Sequence, residues 1–128
     1  MTSPQVPSVS VDDVPASFDS VQVDSDAPAA QGAVRAVLLD VREDDEWQHG
    51  HAPGAIHIPM ADVPARTDEL DLDADLYVIC RQGGRSLQVV RYLEQIGVEA
   101  IQVDGGMVAW QQVGRPLVAD GDHAAKIY

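Results

Sequence analysis

One cysteine, Cys80, stands in the 128 residues of the chain. An internal disulfide is therefore excluded, and so is a dithiol cycle, because no second thiol exists to resolve a disulfide or persulfide formed on the first. Any sulfur chemistry must end on another molecule. Basic residues are also scarce. Eight Lys and Arg stand against 21 Asp and Glu, and the resulting net charge of −13 repels phosphate backbones and anionic lipid surfaces. Nucleic acid and membranes are poor partners for such a chain. No apolar run approaches the roughly 18 residues of a membrane span, and no internal repeat or low-complexity tract is evident. The start Met1-Thr2-Ser3-Pro4 has neither the basic residues nor the apolar stretch of a secretory signal. A cytoplasmic location is the default expectation.

What remains is the composition of a soluble globular protein, 45% hydrophobic and 23% charged, at a length that supports one core but not two. Residues 1–7 are polar and aperiodic and read as a flexible N-terminus, 8–118 as one domain, and 119–128 as a tail without a clear period. Apolar runs alternate with helix-like segments. Residues 8–11 alternate as an edge strand, followed by a turn or short helical segment at 12–15; residues 20–32 read as a loop. Val37-Leu38-Leu39 is a continuous apolar run, as in a central parallel strand covered on both faces, and it ends at Asp40.

A helix-forming stretch follows at 43–48, with Gly50 expected in a left-handed closing position. Residues 55–58 alternate as a strand stopped by Pro59, and 60–70 can form a helix interrupted at Pro64. Residues 75–79 form a second strong strand. In the helix expected over 85–96, Leu87, Val90 and Leu93, with Val89 and Ile96 beside them, make one apolar face, while Gln88, Arg91 and Glu94 face water. A strand over 99–103, a tight turn at Asp104-Gly105-Gly106 and a helix over 107–113 complete the pattern. Alternation of this kind predicts an α/β sandwich of three layers, a mostly parallel sheet with helices on both faces.

The chemistry concentrates where the 75–79 strand runs out into Cys80-Arg81-Gln82-Gly83-Gly84-Arg85-Ser86. In open α/β sheets, ligands bind outside the carboxyl ends of strands. A short Gly-rich loop there, leading into a helix, turns backbone N–H groups and the positive helix end toward whatever Cys80 presents. Such a site favours an anion, either a thiolate or a sulfur carried on it. A lone cytosolic cysteine is more often a buried small hydrophobe. Packing alone, however, gives no reason for two glycines and an arginine directly after it, since glycine loses the most entropy on ordering.

The pattern Cys80, two residues, Gly83, one residue, Arg85 resembles the active-site loop of the rhodanese family of sulfurtransferases. Two flanking stretches resemble the same family in the right order: Asp40-Val41-Arg42-Glu43 through Gly50-His51-Ala52-Pro53-Gly54-Ala55-Ile56-His57-Ile58-Pro59, and Gly105-Gly106-Met107-Val108-Ala109-Trp110 through Gly114-Arg115-Pro116-Leu117. The resemblance implies the rhodanese-like sandwich and a covalent mechanism. Cys80 attacks the outer sulfur of a small anionic donor such as thiosulfate, sulfite leaves, and a Cys80 persulfide passes its sulfur to a thiol, cyanide or protein acceptor. The loop residues Arg81, Gln82, Gly83, Gly84, Arg85 and Ser86 would hold the persulfide. Arg85, and with it Arg81, would face the donor's anionic end.

Asp40 and Arg42 read as support, knitting the strand end to neighbouring loops. Trp47 and Trp110 read as packing. His49, His51 and His57 lie near Asp40, Glu43 and Glu46 in sequence but match no structural zinc spacing, so no metal is expected, and no cofactor. Phosphatases and arsenate reductases that use this fold place five residues between Cys and Arg, whereas Cys80 and Arg85 enclose four, which favours sulfur. Rhodanese-like domains also serve as sulfur carriers or regulatory binding modules without turnover. Such modules commonly lack the cysteine that this chain has.

Overall fold

In the computed structural model, which describes residues 6–15, 18, 35–121 and 124–127, the apolar run at 36–40 forms a strand buried at every position. It is β2 (Ala36–Asp40) of a five-stranded sheet completed by β1 (Ser8–Ser10), β3 (Ile56–His57), β4 (Asp75–Ile79) and β5 (Ile101–Asp104). The strand order is β1-β5-β4-β2-β3, and every neighbouring pair is parallel. Between the strands lie α1 (Asp44–His49) and α2 (Gly84–Gln95), and α3 (Gly106–Gln112) follows β5. None of the described helices is long and apolar enough to cross a membrane.

Strand alternation divides the core in two. Val37, Leu39, Val41, Leu76, Val78 and Cys80 face one side, covered by Val89, Val90 and Leu93 of α2 and by Val63 and Leu70. Leu38, Ile79 and Val103 face the other, covered by Met107 and Trp110 of α3, by Val11 and Val14, and by Ile127. Central strands buried on both faces explain why their sequence reads as continuous apolar runs instead of alternating ones. Three layers follow directly.

The connections make the site. From β2 the chain passes through α1 outward to β3, whereas from β4 it passes through α2 in the opposite direction to β5. The direction of the connections therefore reverses at the carboxyl ends of β2 and β4, the usual position of a ligand site in such sheets, where Asp40 pairs with Ile79 and the chain continues into Val41 and Cys80.

Local differences from the expectations have physical causes. Residues 60–70 form two 3₁₀ segments, Met60–Ala65 and Thr67–Glu69, because Pro64 removes a donor in mid-segment. Ile96 caps α2 and is 47% exposed, so it does not belong to the buried face; Gly97 beyond it takes a positive φ of 86°. Gly50 is extended at φ 177°, not left-handed. A Cβ there would lie 2.6 Å from the Lys126 carbonyl oxygen, so close approach of the tail is what demands glycine. Lys126 N–H donates to His49 O at 2.8 Å, Ile127 N–H to Gln111 Oε1 at 3.1 Å, and the Ile127 side chain is buried. The loop expected over 20–32 and residues 1–5 lie outside the described residues.

Candidate active site

Cys80 leaves the end of β4 on the face covered by α2 and is 1% exposed. Its Sγ receives the Gly83 N–H at 3.0 Å and lies 3.3 Å from Ser86 Oγ, to which the thiol donates. Ser86 Oγ in turn donates to Gly83 O at 3.2 Å. Gly83 occupies the residue before α2 at φ 132°, a conformation that an L side chain rarely adopts. The turn closes tightly enough to bring its own N–H onto the sulfur.

The outer side of the loop is held by α3. The first N–H groups of a helix lack partners within the helix. Here Met107 N–H donates to Cys80 O at 2.8 Å and Val108 N–H to Arg81 O at 3.0 Å. Because a trans peptide points its N–H opposite to its C=O, drawing these two carbonyls toward α3 turns the Arg81 and Gln82 N–H groups the other way. Such an approach requires Gly106. A Cβ at that position, φ 58°, would meet Cys80 O at 2.5 Å and the Arg81 carbonyl as well.

Arg85, on the first turn of α2, does not stand alone. Its Nη1 donates to Glu46 Oε1 at 2.6 Å and its Nη2 to Glu46 Oε2 at 3.0 Å, a bidentate pair from α2 to α1. Hydrogen bonding to Arg85 holds the Glu46 carboxyl below its ordinary value, and the same bonds raise the guanidinium. The nearby Cys80 contributes a smaller raising effect on Arg85.

Asp40 and Arg42 form a buried bidentate pair, with Arg42 Nη2 to Asp40 Oδ2 at 2.7 Å and Nε to Oδ1 at 3.0 Å. Arg42 also donates to Gly50 O at 2.7 Å and Glu46 O at 3.4 Å. It thus binds α1 to the end of β2, and α1 carries Glu46 to Arg85. Arg81 is partly buried beside Cys80, and Gln82 and Gly84 are exposed at the edge of the loop.

The histidines of the first motif are spent on structure. His51 Nδ1 donates to Trp47 O at 2.6 Å, His57 Nε2 to Arg42 O at 2.8 Å, and the Trp47 ring stacks on both imidazoles at 3.6 and 4.8 Å. Trp110 is buried and its Nε1 donates to Pro116 O at 2.9 Å. Three contributors escaped the reading of the sequence: Glu46, Gln102, whose Nε2 donates to Gly83 O at 2.9 Å, and Gly106 as a seat for the loop. Only Gly106 carried a signal, the Gly-Gly pair.

A family model described as "Rhodanese-like domain" matches residues 24–113. The chain is 44% identical over 79 residues to a Bacillus subtilis (strain 168) protein named "Putative sulfurtransferase YtwF", covering 62% of this chain and 77% of that protein. It is 38% identical over 84 residues to a protein of Allochromatium vinosum named "Sulfurtransferase", covering 65% of this chain and 78% of the other. Among solved structures, SSP1007 from Staphylococcus saprophyticus superposes with a TM-score of 0.66 at 34% identity, over 87% of this chain and 99% of that one. With the cysteine loop at a strand end, the switch between β2 and β4, and a family match over most of its length, the chain belongs to the rhodanese-like domain family.

Proposed function

We propose that this protein is a sulfurtransferase that moves a sulfane sulfur from thiosulfate or a related small anionic donor, through a Cys80 persulfide, to a cyanide, thiol or protein acceptor. The observation that carries the reading is Cys80 Sγ at the amino end of α2, receiving the Gly83 N–H at 3.0 Å with Ser86 Oγ 3.3 Å away. Sulfurtransferase relatives support the class of reaction.

In the first half-reaction the Cys80 thiolate attacks the outer sulfur of thiosulfate. A bond forms from Sγ to that sulfur, the donor's S–S bond breaks, and its electron pair leaves with sulfite. In the second, the acceptor attacks the outer sulfur of the persulfide and the electron pair returns to Sγ. Atoms balance without an outside oxidant. Loop N–H groups, the Gly83 N–H among them, stabilise the anion on sulfur at both stages, and the remaining N–H groups of Arg85 face the donor's oxygens while Glu46 fixes the guanidinium plane. A residue only 1% exposed admits a donor from the side of Gln82 and Gly84, which are exposed, so small donors suit the closed loop.

Intact mass after incubation with thiosulfate tests the reading. One added sulfur, removed by cyanide and absent in Cys80→Ser, is the expected result. Turnover in Cys80→Ser equal to that of the unaltered protein overturns it, and loading without catalytic turnover to any small acceptor identifies a carrier instead.

A further inference from the structure

Gln102 lies on β5, where a strand residue facing α2 would ordinarily be apolar; Val78 and Cys80 of the neighbouring strand point into that same side of the core. It is 6% exposed. Its Nε2 donates to Gly83 O at 2.9 Å, while its Oε1 is buried without a hydrogen-bond partner among the described residues. An unpaired buried acceptor is costly, and an apolar side chain of the same shape would fill the space without that cost. Space-filling alone therefore does not account for an amide here. What the amide supplies is a donor to one carbonyl.

That carbonyl is the pivot of the cysteine loop. Gly83 O also accepts from Ser86 Oγ at 3.2 Å and Leu87 N–H at 3.1 Å, and Gly83 N–H is the group that reaches Cys80 Sγ. With φ at 132°, Gly83 has no side chain to restrict its rotation, and a Cβ there would stand 3.2 Å from Gln102 Nε2. The amide donor thus lies directly against a loop residue whose backbone no side chain restrains. Fixing Gly83 O toward β5 turns the Gly84 N–H the opposite way, outward at the start of α2.

Resting on the persulfide reading above, we infer that Gln102 is a positioning residue for sulfur transfer: it locks the Gly83 peptides so that their N–H groups meet the sulfur on Cys80 and the one added to it. Donor binding does not depend on it, because Gln102 is buried behind the loop. Its loss should lower the rate of the chemical step and leave KM in place.

The experiment compares unaltered protein with Gln102→Met, which keeps the volume and removes the donor, and with Gln102→Leu should the first variant fail to fold. Persulfide loading from thiosulfate is followed by intact mass, amide exchange at Gly83 by NMR, and folding by melting temperature. The expected result is a maximal loading rate reduced about fivefold to tenfold with KM changed less than about twofold. Gly83 exchange should quicken while amides in the middle of α2 keep their rates and the melting temperature does not fall. Loading and Gly83 exchange both like those of the unaltered protein overturn the inference, as does a loss of rate that merely tracks a lowered melting temperature. If the unaltered protein takes up no sulfur, the persulfide reading fails, and Gly83 exchange by itself decides whether Gln102 holds the loop.

Discussion

Arg85 and Glu46, 39 positions apart in sequence, meet as a two-point fork, Nη1 to Oε1 at 2.6 Å and Nη2 to Oε2 at 3.0 Å. The pair couples the helix that begins at the cysteine loop to the helix that follows β2, across the point where the connections from β2 and β4 part. It also sets the charge available to a donor. A guanidinium already faced by a carboxylate projects little net positive field beyond contact range.

The same pair makes stability depend on pH. Because Arg85 holds the Glu46 carboxyl below its ordinary value, the stabilisation is complete above the unfolded-state value of about 4.3 and is lost as pH falls through the lower folded value. Glu46→Gln should cost roughly 1–2 kcal/mol at pH 7, with the difference from the unaltered protein narrowing toward pH 3. Urea unfolding at the two pH values measures it. A gap of equal size at both would show that Glu46 acts through shape and not through charge.

Two glycines beside the cysteine should behave in opposite ways. Gly106→Ala drives a Cβ into the Cys80 and Arg81 carbonyls at positive φ, and is expected to cost at least about 2 kcal/mol and to suppress persulfide loading. Nothing lies within 4 Å of a Cβ at Gly84, the first residue of α2, so Gly84→Ala should leave stability within about 1 kcal/mol. Thermal unfolding of the two variants side by side decides this. Equal losses would mean that α3 does not seat the loop as described.

The tail contributes to the core although its sequence shows no period. Ile127 is buried against the α3 face, so Ile127→Ala should lower stability by roughly 2 kcal/mol and the melting temperature by about 6–10 °C. Gly50→Ala should produce a comparable loss by displacing Lys126. A melting temperature unchanged in Ile127→Ala would show that the tail is dispensable.

Ionic strength tests the balance between local and global charge. The net charge of −13 repels a dianionic donor at a distance, while contacts in the loop act only at short range. The second-order rate constant for thiosulfate should therefore rise as the Debye length shrinks from about 30 Å to about 10 Å, in a chloride titration controlled for anion competition. An uncharged donor should show no rise. A steep fall from the lowest salt upward would place most of the acidic surface away from the cysteine loop.

The sequence by itself determined the strands, the order of layers and the address of the chemistry. Val37-Leu38-Leu39 and Leu76-Tyr77-Val78-Ile79 report double-sided burial through their own composition, and Cys80 followed by glycines marks a strand end opening into a helix start. These signals are local. They need only the few residues that carry them. The tertiary structure decided what each side chain meets. Glu46 reads as one more acid in a charged helix until α1 is placed against Arg85, and Gln102 as an ordinary polar residue in a strand until its face is known. Gly50 suggested a left-handed turn, yet it is glycine because the Lys126 backbone passes over it. Contacts between residues tens of positions apart depend on strand order and helix placement, which local propensity does not encode. For that reason the cysteine was legible in the sequence, and the residues that hold its loop in place were not.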